Sequence, residues 1–549
     1  MSPSPLKAPT ADGGLLSRPA PSRVPASLTA NGLVLEAAGK QSLQGRTLAQ
    51  LRGWTRNVAW QQALDYTRDV LGIAIAERPS SGPWFVTGHQ PALFHPGVWA
   101  KNFANCALAN AREGVALNLI VDNDLLAAPG IVVPRGPRSS PRIESFRMLD
   151  PQPPRPWEEA IVDNARPFET FGERVAEAMH KDWGVSALVA ETWTDAVETR
   201  EQSPRLSDCL TALRARQERR WGLGSLELPL SRLEESDPFR WFTAHILAQL
   251  DQFQQVHNAA LAVYRRHNRI RSHSHPVPEL RRRHGWLEAP FWIWQVGESQ
   301  RHPLYVRPQG KRVEIACDQK QVGKLRIASE TDACCAVEDL AFLAGEGWRI
   351  RSRALTTTLF ARLCLADLFV HGIGGAKYDE MTDVIIERFY GLTPPVFLTL
   401  TATQHLPLQP HAVQREDLLR LRRQLRNLDF NPDRVSSTPD LASFATQRDQ
   451  LVRELDELRG GDHSAAEGRE RRNRSRQVYR ELKQLRADQQ SAVDPIRQSL
   501  RDQLKTTEAA LAANRILKSR DFAWCLFPEP TLHSLAQRIK TAFETNGQT

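Results

Sequence analysis

The distribution of apolar positions between residues 82 and 124 predicts a strand, a helix and a second strand. GPWFVTGHQ is apolar up to a glycine-bearing turn, GVWAKNFANCALANAREG has apolar residues at helical spacing, and VALNLIVDND is apolar up to its acidic end. Strand, helix and parallel strand form a βαβ unit, the first half of a doubly wound sheet. We therefore predict a Rossmann-like, parallel α/β core over about residues 29–405.

Later segments of this core differ in pattern. A proline-rich connection, LDPQPPRPWEEA, leads into helical spacing without strand alternation, which predicts a helical insertion at about 151–240. WLEAPFWIWQ, HPLYVRPQ and KRVEIAC have the composition of strands. The segment from TTTLFARLC to ERFYG predicts a helix, a short apolar stretch, a glycine-rich turn and another helix.

The two ends of the chain have their own patterns. Leu- and Arg-rich segments with heptad-like spacing cover about 410–520 and are interrupted by LRGGDHSAAEGRE. We predict two helices joined at that Gly-Gly turn, an antiparallel coiled-coil hairpin that forms a homodimer. The apolar segment 521–549 is expected to dock on the core. Residues 1–28, rich in Pro, Ser and Ala, are expected to be disordered.

Composition narrows the class of protein. No run approaches the roughly 18 apolar residues of a membrane span, and the N-terminus lacks the apolar segment of a signal peptide, so we expect a cytoplasmic protein without a membrane partner. The net charge is +9, but acids accompany the arginines of the C-terminal helices, so no nucleic-acid partner is predicted. HSHPVPELRRRH lacks nearby cysteines and HExxH spacing, so no metal site is predicted.

The segment TGHQPALFHPG, residues 87–97, is the first candidate for chemistry. Glycines let backbone approach a ligand, and the amides that begin a helix favour an anion. We predict that His89 and His95 are catalytic, because imidazoles can stabilise charge on phosphoryl oxygens. Lys101, one turn into the helix, could add positive charge. A structural turn with capping histidines is the alternative. The predicted nucleotide contacts are Thr87, Gly88, Gln90 and Gly97.

The second candidate is HGIGGAKYDE, residues 371–380. It lacks the GxxxxGK[ST] spacing of a P-loop, but a glycine-rich backbone followed by a lysine can cradle phosphate. We predict Lys377 as a catalytic group, with close packing of the glycines as the alternative. If both candidates bind one nucleotide, they must meet at neighbouring strand ends. The predicted nucleotide contacts here are Gly372, Gly374 and Gly375.

Substrate contacts are predicted from acidic and histidine-rich positions. Asp122 and Asp124 point the same way from an extended backbone and could hold an amine, a ribose or Mg²⁺, although Asp124 could instead cap a helix. Glu288 lies in an aromatic run, where burial would raise its pKa or require a cationic partner. A polar substrate wall is predicted from Asn268, Arg271, His273 and His275, beside Tyr264.

VTGHQPALF with its following helix, the strand ending in DND, and HGIGGAKYDE resemble the bacillithiol-biosynthesis cysteine-adding enzymes. That family has a TGQQ-type turn, an Asp-His-Asp strand end, a Gly-Gly loop and a dimerising coiled coil. Its core is similar to class I aminoacyl-tRNA synthetases and nucleotidyl transferases. Its members are thought to join cysteine to glucosaminyl malate. The resemblance implies pocket positions at Thr87, Gly88, Gln90, Asp122 and Asp124.

The chain departs from that family at three places. His89 stands where the family has the first glutamine, and Asn123 stands where it has a histidine between the acids. HPG at residues 95–97 is closer to the HIGH-type signature of synthetases. These departures suggest a divergent member with a different acceptor.

Two functions agree with these patterns. The first is an ATP-dependent ligase, with Mg²⁺, that activates an amino acid carboxylate as an adenylate or a phosphate. It would then form a C–N bond to an amine of a small acceptor, such as an amino-sugar conjugate. The second is a non-catalytic nucleotide-binding scaffold whose coiled coil recruits a partner. A fold by itself does not choose between them.

Overall fold

The computed structural model describes residues 6–75, 82–318, 320–430, 439–460 and 465–544. The fold is mixed α/β. In the part of the chain that the structure describes, every helix is too short or too polar to span a bilayer.

The chain divides into two compact units. The α/β unit runs to Arg135, resumes over Ile143–Pro407 and includes the chain from Arg520. The helical unit comprises Gly136–Arg142 and Leu408–Ser519.

The strands and helices of both units have the following bounds in chain order. The strands are β1 Leu15–Arg18, β2 Ser42–Leu43, β3 Arg46–Thr47, β4 Trp84–His89, β5 Val115–Ile120, β6 Leu125–Leu126, β7 Gly130–Arg135, β8 Arg142–Arg147, β9 Arg155–Pro156, β10 Leu226–Pro229, β11 Arg282–Arg283, β12 Trp286–Gln295, β13 His302–Gln309, β14 Arg312–Cys317, β15 Lys320–Leu325, β16 Trp348–Ser352, β17 Leu368–His371 and β18 Leu398–Ala402. The helices are α1 Val24–Ala38, α2 Leu48–Asp65, α3 Pro96–Asn110, α4 Ala165–Glu169, α5 Phe171–Trp183, α6 Val189–Gln202, α7 Leu206–Arg220, α8 Leu230–Glu234, α9 Asp237–Ala248, α10 Leu250–His267, α11 Cys334–Gly345, α12 Ala354–Phe360, α13 Ile373–Phe389, α14 Arg415–Phe430, α15 Pro439–Glu457, α16 Ala465–Leu517 and α17 Glu529–Glu544.

A six-stranded sheet in the order β1-β18-β17-β4-β5-β10 forms the centre of the α/β unit. Its strands are parallel except β1, which runs antiparallel to β18. All six residues of β5 are buried, as expected for a parallel strand covered on both faces. The predicted strand, helix and parallel strand are present as β4, α3 and β5, with His89 opposite Ile120.

The N-terminal segment differs from its prediction. The prediction that residues 1–28 are disordered is wrong for the residues described, because Leu15–Arg18 forms β1 and α1 begins at Val24. β1 is a four-residue edge strand held by its backbone pairing with Leu400 and its neighbours in β18. An edge strand this short needs few apolar side chains, so Pro- and Ser-rich flanking residues concealed it.

The helical insertion contains a strand that its pattern did not predict. Helices α4 to α7 occupy much of 151–240, but Leu226–Pro229 forms β10, parallel to β5 at the edge of the central sheet. The helical insertion therefore ends before Leu226. Four buried residues are too few for periodicity to separate a strand from a helix.

The predicted strands WLEAPFWIWQ, HPLYVRPQ and KRVEIAC are present as β12, β13 and β14. They belong to a separate antiparallel sheet, in which β11 to β15 follow one another and β16 pairs with β12. The prediction of one parallel core over 29–405 is wrong for this segment. Short connections join antiparallel neighbours, whereas parallel strands need a longer crossover.

The predicted glycine-rich turn is instead the start of a helix. Gly372 is the N-cap residue of α13, and Gly374 and Gly375 lie in its first turn. The amides of a first turn have no intrahelical acceptor, so glycine is tolerated there more easily than in a helix interior. At Gly375 a Cβ would lie 2.7 Å from His371 Nδ1, so this glycine allows a close approach.

The helical unit has α14 and α15 along the longer helix α16. Its apolar contact includes Leu421, Leu428, Val493 and Leu500. Residues 431–438, between α14 and α15, lie outside the described residues, so the two-helix hairpin stays a prediction. Residues 461–464, within the predicted Gly-Gly turn, lie outside the described residues.

The C-terminal segment 521–549, as far as residue 544, lies against the α/β unit. The Trp524 amide donates to the Phe94 carbonyl at 2.7 Å, and the Trp524 and Trp99 rings are 4.4 Å apart. Helix α17 packs along α3.

Candidate functional site

The two glycine-bearing motifs meet at adjacent strand ends. β4 and β17 are neighbouring parallel strands, with Thr87 opposite Val370. Thr87 Oγ1 donates to the Val370 carbonyl at 2.9 Å. The arrangement that a shared nucleotide would require, with both segments as neighbouring strands of one sheet, is therefore present. Ligands of open α/β sheets bind beyond the carboxyl ends of the strands, so this edge is the first place to look for a site.

Lys101 lies at this junction. Its side chain is buried, and its Nζ donates to the Gly88 carbonyl at 2.7 Å. A Cβ at Gly372 would lie 3.8 Å from Lys101 Cδ. No carboxylate forms an ion pair with it within the described residues. Burial lowers the pKa of Lys101 to about 7. The Lys101 amine therefore titrates near neutral pH, and its side chain lies between Gly88 of the first motif and Gly372 of the second.

Lys377, the lysine chosen from the sequence, has a different environment. It is exposed on α13 and forms no hydrogen bond or ion pair within the described residues. Gly374, in the same turn region, is also exposed, with open space where a Cβ would stand. The start of α13 is therefore open to solvent, whereas Lys101 is enclosed.

His89 is held on both sides of its ring. Nδ1 is 3.0 Å from the Gln90 carbonyl, Nε2 is 3.1 Å from Asn102 Oδ1, and the ring meets Phe94 edge-on. Burial and the Lys101 charge lower the pKa of His89 well below its ordinary value. His89 is thus fixed at the end of β4 by contacts at both ring nitrogens.

His95 is the N-cap residue of α3. Its Nδ1 accepts a hydrogen bond from the Gly97 amide at 3.1 Å, and burial, with the Arg520 charge, lowers its pKa to about 4. A Cβ at Gly97 would overlap the Ala402 carbonyl oxygen, so packing of α3 on β18 accounts for this glycine. The capping role that was the alternative for His95 is the one that its contacts show.

The acidic end of β5 divides into buried and exposed groups. Asp122 is buried, and its oxygens accept from the Ser231 amide at 2.8 Å and the Ser231 hydroxyl at 2.5 Å. Burial and the nearby Glu158 charge raise the pKa of Asp122 to about 7. Asp124 is half-exposed and is joined by hydrogen bonds to Gln90 and, at 3.1 Å, to Arg301. Asp124 is therefore the carboxylate that a ligand can reach.

A cleft with about 800 Å³ of empty space opens beside this strand end. The Arg353 and Arg301 guanidiniums lie 4.1 and 5.0 Å from the Trp292 ring centre. The cleft thus carries two guanidiniums beside an aromatic ring, with one carboxylate at its rim, where Asp124 pairs with Arg301. Its principal polar and aromatic lining residues are Asn123, Asp124, His257, Trp292, Arg301 and Arg353.

Glu288 has the cationic partner that its burial required. Arg353 NH2 lies 2.9 Å from Glu288 Oε1, and the Arg281 amide donates to Oε2 at 3.1 Å. Glu288 therefore holds Arg353 against Trp292 and is not itself among the residues that line the cleft.

The predicted histidine wall lies on an exposed loop. His275 stands edge-on to Tyr378, 6.0 Å away, and His273 contributes its carbonyl to Arg265. The loop instead lines the cleft with Pro276, Val277, Pro278 and Leu280. The residues that this placement leaves exposed are Asn268, Arg271, His273 and His275.

A buried ionic network supports the cleft. Arg351 is 2.7 Å from Glu158 and 2.9 Å from Glu235, and the Ser352 amide donates to Glu234 Oε1 at 3.0 Å. Burial raises the pKa of Glu234 to about 8. The network fixes the end of β16, where Arg353 enters the cleft. Its sequence signal is RIRSR, with arginines at alternate strand positions.

His371 is a further group that the sequence did not single out. It ends β17, and its Nε2 lies 3.0 Å from Asp379 Oδ2. Although burial opposes ionisation, His371 and Arg362 hold the pKa of Asp379 well below its ordinary value. The carboxylate therefore orients the imidazole beside the start of α13. In the sequence FVHGIGG, the only indication of a role for His371 is its position at the end of an apolar strand.

No model of a known protein family matches this chain, and no curated protein matches it. The strand ends and the cleft are therefore the features that bear on function. Those features are a buried lysine between two motifs, an open helix start and an arginine-lined cavity.

Proposed function

We propose that this protein is an ATP-dependent ligase that forms a C–N bond. It activates an amino acid carboxylate and joins it to an amine of a small acceptor. The observation that carries the proposal is the meeting of two motifs more than 280 residues apart around the buried Lys101. On this proposal the core is Rossmann-like, and the chain is a divergent relative of the cysteine-adding enzymes, with cysteine as the amino acid and an amino-sugar conjugate as acceptor.

The start of α13 and the end of β4 fit a nucleotide. Helix amides beginning at Gly372 favour an anion, and the open space at Gly374 leaves room for phosphate. Lys101 supplies the positive charge behind them. Asp124 offers the oxygen ligand that Mg²⁺ prefers, with phosphate and water completing the shell. Gln90, bonded to Asp124, would keep that carboxylate at the nucleotide edge.

The cleft fits the second half of the reaction. Arg301 and Arg353 are suited to a carboxylate of the substrate, because guanidinium and carboxylate form paired hydrogen bonds. In the first step a carboxylate oxygen attacks phosphorus, and pyrophosphate or ADP leaves. In the second step the acceptor amine attacks the activated carbonyl carbon, AMP leaves from an adenylate or phosphate leaves from an acyl phosphate, and the proton of the amine passes to solvent. Lys101 stabilises charge on the phosphates in both steps.

ATP–pyrophosphate exchange, screened over single amino acids, tests this function. Exchange requires reversible formation of an adenylate, so a signal with one amino acid identifies both the reaction and the substrate. Lys101→Met should abolish that signal, while Lys181→Met, at an exposed position on α5, should leave it unchanged. ATP binding without exchange or ADP release for any amino acid and acceptor would instead support the nucleotide-binding scaffold.

We also propose that the helical unit is a coiled-coil arm through which the protein forms a homodimer. Leu419 and Val452 are exposed apolar residues of this unit, available to a second copy. The His411 amide donates to Asn514 Oδ1 at 2.8 Å, so the two ends of the arm are adjacent. Residues 412–513 can therefore be replaced by a short Gly-Ser linker that keeps α17 in place. Light scattering should then show that the shortened protein is a monomer. A shortened protein that is still a dimer would mean that the interface lies in the α/β unit.

A further inference from the structure

Helices α5 and α6 enclose a surface groove that belongs to neither the strand ends nor the cleft. It holds about 1250 Å³ of empty space, part of it open to solvent. Its floor is apolar, with Ala176, Val189, Trp193 and Val197 among the lining residues. At Gly172 a Cβ would lie 2.5 Å from the Trp193 side chain, so this glycine lets the two helices approach closely. An apolar floor of this kind is suited to a partner's side chains.

The lip of the groove carries carboxylates. Glu173 and Glu177 are four residues apart on α5, so they lie on one helix face about 6 Å apart, and Glu169 ends the preceding helix α4. Glu169 is 3.3 Å from Arg200, but Glu173 and Glu177 form no ion pair within the described residues. Like charges at this spacing destabilise a helix. These carboxylates therefore call for a cationic partner, in a chain whose net charge is +9.

The same chain carries a basic row with this spacing on α16. Arg472, Arg476 and Arg480 lie about 120–200° around the helix from Val478, which is fully buried. These three arginines are exposed and form no ion pair within the residues described. From Arg472 to Arg480 the row is about 12 Å long. Arg469 and Lys483 extend the row at its ends. We name these five residues the basic stripe.

We propose that the groove between α5 and α6 binds the basic stripe of a second copy of this chain. Glu173 and Glu177 have the same four-residue spacing as Arg472 and Arg476, so two guanidiniums can face two carboxylates in one register. The aliphatic parts of the arginines would cover the apolar floor around Trp193. A nucleic acid is disfavoured as occupant, because its phosphates carry the same sign as the groove. The inference rests on the proposed self-association and not on the ligase chemistry.

Charge reversal in the full chain tests this contact. Sedimentation velocity at low and high salt would measure the association constant of each variant. Glu173→Arg with Glu177→Arg should weaken association about tenfold or more, and so should Arg472→Glu with Arg476→Glu. All four changes together restore opposite charges across the contact, so association should return to within about threefold of the original value.

The matched control reverses Glu191 and Glu201 on α6, both exposed and outside the groove. It changes the net charge equally and should leave association unchanged. Circular dichroism would check that every variant stays folded. A dimer that neither reversal weakens would overturn the groove contact but keep the dimer. A full chain that remains monomeric would also overturn it, and so would a fourfold variant whose association does not recover. Binding of an oligonucleotide to the full chain would be measured as well, and its loss when only the basic stripe is reversed would assign the stripe to nucleic acid.

Discussion

Replacing Lys101 by methionine should stabilise the protein while it removes activity. The side chains are similar in length, but methionine carries no charge into the buried site. A lysine whose pKa falls from 10.5 to about 7 carries a burial cost of about 5 kcal/mol below pH 7, at 1.36 kcal/mol per tenfold change. Losing the bond to the Gly88 carbonyl costs about 1–3 kcal/mol. The net gain in unfolding free energy at pH 7 should be about 2–4 kcal/mol.

The pH dependence gives this prediction its sign. Between pH 7 and 10.5 the unfolded state binds the proton of Lys101 more strongly than the folded state, so the stability of the unmodified protein rises with pH. Below pH 7 both states are protonated and the full cost remains. The advantage of Lys101→Met should therefore be largest at and below pH 7 and reverse by pH 10.5, where only the lost hydrogen bond counts.

Guanidinium unfolding followed by circular dichroism at pH 7 and pH 10 would measure the stability. ATP–pyrophosphate exchange would measure activity, which should fall about 10²–10³-fold if Lys101 stabilises charge on the phosphates. Lys181→Met should change neither quantity appreciably, since the side chain is exposed. A Lys101→Met protein that is less stable at pH 7 would refute the burial argument. Full activity in that variant would refute its role at the nucleotide.

Three further substitutions separate roles within the site. Arg353→Ala should raise the KM for the carboxylate-bearing substrate more than it lowers kcat, measured by steady-state kinetics; an unchanged KM would place the substrate elsewhere. His95→Ala removes a helix cap and should cost about 1 kcal/mol in unfolding free energy. Full activity in His95→Ala would establish a purely structural role. Asp122→Asn should reduce the loss of stability that accompanies a rise from pH 4 to pH 7, because the folded Asp122 carboxyl keeps its proton to about pH 7, while Glu234 still contributes its own part; an unchanged pH profile would contradict this.

Much of the central sheet could be predicted because its strands are continuous apolar runs. FVTGH and VALNLI flank a helix of typical spacing, and the structure has them as parallel neighbours. The pattern also allowed the apolar stretch before HGIGG to be a strand beside the first one, and the structure has it there. The interior strand β18 and the edge strands β1 and β10 were not predicted. These strands are four or five residues long, and β1 and β10 pair with partners more than 100 residues away.

Within the candidate site, the sequence determined which residue types stand at the ends of the strands, since turn residues and acids follow apolar runs directly. It also indicated that a buried Glu288 would have either a raised pKa or a cationic partner. Only the tertiary structure decided that this cation is Arg353, and that the lysine between the motifs is Lys101 and not Lys377. Burial, charge pairing and pKa depend on neighbours in space. In this protein those neighbours come from helices and from a second sheet that are distant along the chain.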